Sequence, residues 1–195
     1  MPRPSPPARR TLPQQVRIIG GLWKRTPLPV ADRPGLRPTP DRVRETLFNW
    51  LGQDLDGWRC VDAFAGTGAL GLEAASRGAA DVLLVEAEGP LVDQIRAIID
   101  KLKAQNVRVQ RGNALSVLAS LPAASVDLVF LDPPFDAGVH EKALAATRAA
   151  LRPEGFVYLE APSAWDAAAL APHGVELVRH MKAGAVHAHL LRRTA

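Results

Sequence analysis

Between Val61 and Gly71 the chain reads Val-Asp-Ala-Phe-Ala-Gly-Thr-Gly-Ala-Leu-Gly, a strand-like run that breaks into a glycine-rich turn and resumes at helical spacing. Few folds admit that order. A strand, a tight turn and a helix in direct succession bring the helix N-terminus against whatever ligand occupies the turn, because the unpaired N–H groups and the positive dipole end point there. A second segment, Val129 to Phe135, reads Val-Phe-Leu-Asp-Pro-Pro-Phe. Proline locks its own φ and restricts the residue before it, so Asp132, Pro133, Pro134 and Phe135 form a rigid turn at the carboxyl end of a buried strand. That is where open α/β sheets bind their ligands.

The rest of the chain alternates in the same manner. Apolar, β-branched runs predict strands near 59–64, 81–86, 107–110, 126–131, 155–160, 175–180 and 185–191. Helical spacing predicts helices near 69–77, 90–102, 114–119, 139–151 and 163–170, the second carrying Leu91, Ile95, Ile98, Ile99 and Leu102 on one stripe. A leading helix starts at Thr39-Pro40, with Thr39 as its cap, Pro40 at its first position, and Val43, Leu47, Trp50 and Leu51 on its inner face. Alternation of this kind implies an α/β fold with a mainly parallel sheet. The last two strands lack a long helix between them and so form a hairpin, which turns the seventh strand antiparallel in a Rossmann-like arrangement.

With 195 residues, 47% of them apolar, the chain supports one core plus an appendage. The expected division is a disordered tail over 1–15, a basic arm or small hairpin over 16–38, and a catalytic domain over 39–195. No run approaches the ~18 apolar residues of a membrane span, and the Pro- and Arg-rich start lacks a signal peptide's apolar stretch, so a soluble, cytoplasmic monomer is expected. The single cysteine, Cys60, excludes a disulfide framework or a cysteine zinc cluster; it sits at the start of a central strand, where packing is its expected role. The histidines suggest no metal site: His187 and His189 share a strand face without a third ligand, and His140, His173 and His180 form no pattern.

Charge is unevenly spread. Residues 1–44 hold ten basic and two acidic side chains, a local +8 within a net +4, which leaves −4 for the remainder. A basic arm on a mildly acidic body suits a polyanion. Arg17, Lys24, Arg25, Arg37 and Arg42 are the candidate RNA-binding residues, and Trp23 beside Lys24 and Arg25 offers a stacking surface.

Gly66-Thr67-Gly68-Ala69-Leu70-Gly71 also satisfies the dinucleotide pattern, with Glu86 closing the next strand where an acid would grip a ribose. A nicotinamide-dependent oxidoreductase is therefore one reading. Asp62, four residues before the first glycine, argues for a cationic ligand, since a pyrophosphate would be repelled there. The candidate cofactor-binding residues are Asp62, Phe64, Ala65, Gly66, Thr67, Gly68, Glu86, Asn113 and Ala114. Asn113 either meets an adenine edge or caps the helix that follows; both roles are compatible.

The Asp-Pro-Pro-Phe turn suits an exocyclic amine, a poor nucleophile whose lone pair is delocalised into its ring. Asp132 and the Pro133 carbonyl can accept its two N–H groups, which aims the lone pair at a methyl donor, and Phe135 can stack on the splayed base. A non-catalytic RNA-binding module would share the basic arm without needing this turn.

Four segments together carry a specific likeness: Arg17-Ile18-Ile19-Gly20-Gly21; Pro34 to Leu51, reading Pro-Gly-Leu-Arg-Pro-Thr-Pro-Asp-Arg-Val-Arg-Glu-Thr-Leu-Phe-Asn-Trp-Leu; Phe64 to Gly71; and the turn at Asp132. From about Val16 onward the chain resembles the bacterial 16S rRNA guanine-N2 methyltransferase family, the D-type small-subunit enzymes. The resemblance implies a class I methyltransferase fold and S-adenosyl-L-methionine as cofactor. It also implies transfer to the N2 of one guanine in 16S rRNA, within the assembled 30S subunit. By that likeness Asp62, Gly66, Gly68, Glu86 and Asn113 hold the cofactor and Asp132 with its turn holds the guanine.

Overall fold

The structure is a computed structural model that describes residues 15–31, 36, 38–135 and 138–194. The tail expected over 1–15, apart from Gln15, and the candidate Arg37 lie outside the described residues. Two short strands, β1 (Gln15–Arg17) and β2 (Pro27–Pro29), pair antiparallel and precede helix α1 (Asp41–Trp50). Then β3 (Arg59–Asp62), α2 (Ala69–Ser76), β4 (Asp81–Glu86), α3 (Gly89–Leu102), β5 (Val107–Arg111), α4 (Ala114–Ser120), β6 (Val126–Leu131) and α5 (Val139–Thr147) alternate. The chain ends with β7 (Leu151–Ala161), α6 (Ala167–Leu170), β8 (Val175–Ala183) and β9 (Val186–Arg193).

Seven of the strands form one sheet in the order β5-β4-β3-β6-β7-β9-β8, with β9 antiparallel to both neighbours and the pairs from β5 to β7 parallel. The order reverses between β3 and β6, so the crevice at their carboxyl ends is the ligand position of this fold class. Buried side chains divide by strand parity. Cys60, Val82, Leu84, Leu128, Phe130 and Tyr158 pack on one face with α1, α2 and α3, and Val61, Leu83, Val85, Val129, Leu131 and Leu159 on the other with α4, α5 and α6. The parallel strands are covered on both faces, which is why they read as continuous apolar runs. No helix among the described residues is long and apolar enough to cross a membrane.

The arm is fastened to α2. Gly21 (φ +72°) lies so close to the α2 C-terminus that a Cβ would sit 1.8 Å from the Ser76 carbonyl oxygen. Ser76 accepts from Leu22 N and Trp23 N and donates to the Gly20 carbonyl. Glu73, fully buried, accepts from the backbone N–H groups of Ile19 and Gly20 at 2.8 Å and from Arg44 and Arg77. Arg44 is buried and spent in this network, donating also to the carbonyls of Thr39 and Arg17, so it adds nothing to the surface charge counted for the arm. Trp23 is partly packed on the core, leaving only part of its ring as a platform.

Four expectations need correction. Thr39 does not cap α1; Pro40 takes the cap position and the Thr39 hydroxyl donates to Glu160 instead. The first sheet strand stops at Asp62 rather than at 64, because Ala63 to Gly68 already turn, with Gly68 N bonded to the Ala65 carbonyl. Helix α5 ends at Thr147, not 151, because Leu151 pairs with Val126 as the first residue of β7. Helix α6 begins only after Asp166, whose carboxylate accepts from Ala169 N and caps it.

Candidate active site

Four strands on one sheet face end in an acid. Sheet order and strand parity set Glu86 (β4), Asp62 (β3), Asp132 (just past β6) and Glu160 (β7) in a row along the carboxyl edge, on the side covered by α1 to α3. Glu160 is not among the site residues expected from sequence. Its signal is present all the same, because Val-Tyr-Leu-Glu at 157–160 repeats the apolar run closed by an acid seen in Val-Phe-Leu-Asp and Leu-Leu-Val-Glu.

Asp62 is 1% exposed. Its Oδ2 accepts from Gly71 N at 3.0 Å, whereas Oδ1 is buried with no partner among the described residues. Burial is the main cause that pushes its carboxyl up to about 7, with Glu86 and Glu160 adding to it and backbone N–H groups of Gly71 and Phe64 opposing. A carboxylate so placed accommodates a cationic or hydrogen-bond-donating ligand. Gly71 also brings α2 against the sheet, since a Cβ there would lie 2.1 Å from a Leu84 methyl.

The turn itself holds Gly66 (φ +55°) and Gly68 (φ +79°) in the left-handed region, which side chains disfavour. Gly68 caps α2, and Glu86 braces the turn by accepting from Gly66 N at 2.8 Å with one oxygen and from Glu88 N at 2.9 Å with the other. Thr67 is buried with its hydroxyl accepting from Ala69 N, Ala65 N donates to the Val85 carbonyl, and Phe64 packs at the edge of the second core cluster. Asn113 caps α4, its Oδ1 accepting from Ser116 N at 3.1 Å, with Ala114 buried beside it.

Pro133 is buried, Pro134 is exposed and Phe135 is 49% exposed, an aromatic face left open at the mouth of the crevice. Burial, then Glu160 and Asp62, push Asp132 well above the usual carboxylate range. Tyr158 and Thr39 donate to Glu160 Oε1 at 2.8 and 2.7 Å, yet burial still raises that carboxyl. His140, unassigned by sequence, lies beneath Phe135 with ring centroids 6.2 Å apart, and its buried Nε2 has no partner among the described residues. Burial lowers its proton affinity. His180, by contrast, joins His187 and His189 in a group of rings on β8 and β9, the strands next beyond β7; Trp165 N and the Leu159 carbonyl engage His189.

Proteins already solved share this shape. The chain superposes on the structure of the Escherichia coli yhhF protein with a TM-score of 0.79 and 42% identity, covering 93% of this chain and 99% of that one. Residues 16–192 match the family model described as Conserved hypothetical protein 95. The ribosomal RNA small subunit methyltransferase D of E. coli K12 is 44% identical over 183 residues, 93% of this chain and 91% of that protein. The chain belongs to the ribosomal RNA small subunit methyltransferase D family. The Haemophilus influenzae member is 37% identical over 177 residues, 88% and 91% of the two chains.

Within this family member the candidate RNA-binding residues are not gathered in one place. Arg17, 66% exposed, pairs with Asp41 at 3.0 Å near the start of α1, and Arg42 is exposed one residue on. Lys24 and Arg25 are exposed on the turn that docks at the C-terminal end of α2. The glycine turn caps the other end of that helix, so eight residues of helix, about 12 Å, separate the two.

Proposed function

We propose that this protein transfers a methyl group from S-adenosyl-L-methionine to the exocyclic N2 of a guanine in 16S rRNA, presented on the 30S subunit. The observation that carries this reading is the neighbouring placement of Asp62 and Asp132. One is a buried carboxylate with an unpartnered oxygen beside a glycine turn, the other an acid in a proline-locked turn with an open aromatic face. The named relatives are ribosomal RNA small subunit methyltransferases, which supports RNA methylation and disfavours a nicotinamide-dependent oxidoreductase. An intact Asp132 turn likewise disfavours a module that only binds RNA.

The site fits the cofactor by its donor set. Gly66 and Gly68 leave room at a helix N-terminus, Glu86 at the end of β4 suits ribose hydroxyls, Asn113 and Ala114 suit an adenine, and the free oxygen of Asp62 suits the amino-acid end. When bound, the cofactor supplies an electrophilic methyl on a sulfonium. Asp132 and the Pro133 carbonyl accept from the guanine amine and orient its lone pair, while Phe135 stacks on the extruded base and shields the reacting atoms from water. Arg17, Lys24, Arg25 and Arg42 supply phosphate contacts whose spread suits a large, structured RNA, and Arg37, outside the described residues, is assigned the same role.

The test is incubation of the purified protein with labelled S-adenosyl-L-methionine and either 30S particles or naked 16S rRNA, followed by mass mapping of nucleosides. N2-methylguanosine at one position, formed faster on 30S, is expected. No transfer to either substrate, or label on another atom, sinks the reading.

A further inference from the structure

Glu160 has no place in the chemistry described so far, and its surroundings are unusual. It is 4% exposed, and two hydroxyls, from Tyr158 on its own strand and Thr39 on the segment before α1, converge on one of its oxygens. Leu131 pairs with Leu159 in the parallel ladder, so the next residues along, Asp132 and Glu160, leave neighbouring strands side by side on the same face. Glu160 is tied down by these two donors.

Resting on the methyl-transfer reading above, we propose that Glu160 is a positioning residue that acts through Asp132, its fixed charge making Asp132 basic enough to take the proton released at the guanine nitrogen. As the N2–CH3 bond forms, the S–CH3 bond breaks and its electron pair stays on sulfur. The nitrogen, momentarily cationic, loses one N–H proton to a carboxylate oxygen of Asp132, which leaves a neutral methylamine and a neutral carboxyl. An ordinary carboxylate is a weak acceptor at neutral pH, and general-base efficiency peaks when proton affinity lies near the working pH.

The groups facing the pair agree with this assignment. Asp62 on β3 lies on the other side of Asp132, and Glu86 lies one strand beyond it. Tyr158 contributes a neutral hydroxyl and His140 on α5 reaches the Glu160 backbone with a ring kept neutral by burial. Arg44 bonds the Thr39 carbonyl but is committed to Glu73 and Asp41. No Lys or Arg among the described residues pairs with Asp62, Asp132 or Glu160. The Asp62 oxygen without a partner among the described residues leaves the row one acceptor for a ligand.

Glu160→Gln keeps an acceptor for Thr39 and Tyr158 and removes only the charge. Carboxyl-13C NMR on the cofactor-free protein should show the Asp132 titration midpoint falling by about one pH unit or more. In single turnover, the low-pH limb of methyl transfer should move to lower pH with it, and the plateau rate should fall ~10-fold or more. An unmoved Asp132 midpoint in this variant overturns the inference. Thr39→Val separates a mere tether: if it reproduced the full kinetic effect of Glu160→Gln with the Asp132 midpoint unchanged, Glu160 would act only by anchoring the segment before α1. Should Glu160→Gln not fold, Tyr158→Phe weakens the anion by removing one donor and must move the Asp132 midpoint in the same direction. A midpoint that falls in the variant, together with wild-type protein that methylates no RNA, would defeat the methyl-transfer reading and leave the Glu160–Asp132 coupling standing.

Discussion

Two buried acidic centres in this protein are built in opposite ways. Glu73, under the N-terminal arm, meets two guanidinium groups and two backbone N–H groups, so its charge is balanced within the chain. Asp62, Asp132 and Glu160, at the carboxyl edge of the sheet, share one face without a cationic partner among the described residues, and burial raises all three. A charge that is satisfied internally holds a fold together, whereas one left unsatisfied is stable only in company with a ligand or a proton. The first centre fastens an arm; the second is where chemistry is expected.

The largest expected effect tests the first centre. Glu73→Ala leaves buried Arg44 with only Asp41 of its two ion-pair partners, strips Arg77 of its carboxylate and frees two backbone donors, which should cost about 3–5 kcal/mol in denaturant unfolding. A loss below about 1 kcal/mol, the size of an ordinary substitution, would mean that the arm is not integral to the fold.

Asp62→Asn should do the reverse. The folded-state carboxyl of Asp62 is raised to about 7 from 3.8, so the folded protein holds a proton that the unfolded chain releases. Its contribution to stability is therefore complete below about pH 4 and is lost as pH rises toward and through 7. At pH 8 the cofactor-free Asn variant should be more stable than wild type by up to about 4 kcal/mol, since each tenfold change in proton affinity corresponds to about 1.4 kcal/mol. It should also bind S-adenosyl-L-methionine more weakly by calorimetry. Equal stability of the two proteins across pH 4 to 8 would show that Asp62 is not an unsatisfied charge.

Asp132→Ala removes the acceptor without touching the glycine turn, so methyl transfer should drop ~100-fold or more with cofactor affinity retained. Single-turnover rates near wild type would exclude Asp132 from the reaction.

The smallest effect concerns the arm's outer surface. Lys24→Ala with Arg25→Ala should reduce 30S affinity and lower the slope of log affinity against log salt by about 0.7–0.9 for each phosphate that is no longer neutralised, leaving stability and cofactor affinity alone. An unchanged slope would place RNA recognition away from Lys24 and Arg25.

Much of the fold was legible because strand and helix periods are local. The strands at 81–86 and 126–131 match the expected bounds, and the closing hairpin followed from the lack of a long helix between the last two runs. Helix ends were less legible. Thr39 has the chemistry of a cap, but the carboxylate at Glu160, 121 residues away, took its hydroxyl.

What the sequence determined by itself was the set of elements and the two turns, since the restricted φ of proline and the left-handed freedom of glycine need no distant partner. Only the tertiary structure decided the meaning of the charges. Arg44 counts as one more basic residue among the arm's cations, yet packing buries it against Glu73 and removes it from the surface. Glu160 closes an apolar run in the sequence, but only the sheet sets β7 beside β6 and lets the segment before α1 cover it. A side chain's charge is fixed by its type. Whether that charge is screened by water, cancelled by a neighbour or kept bare for a ligand depends on which strands and segments pack around it, and no local stretch of residues encodes that.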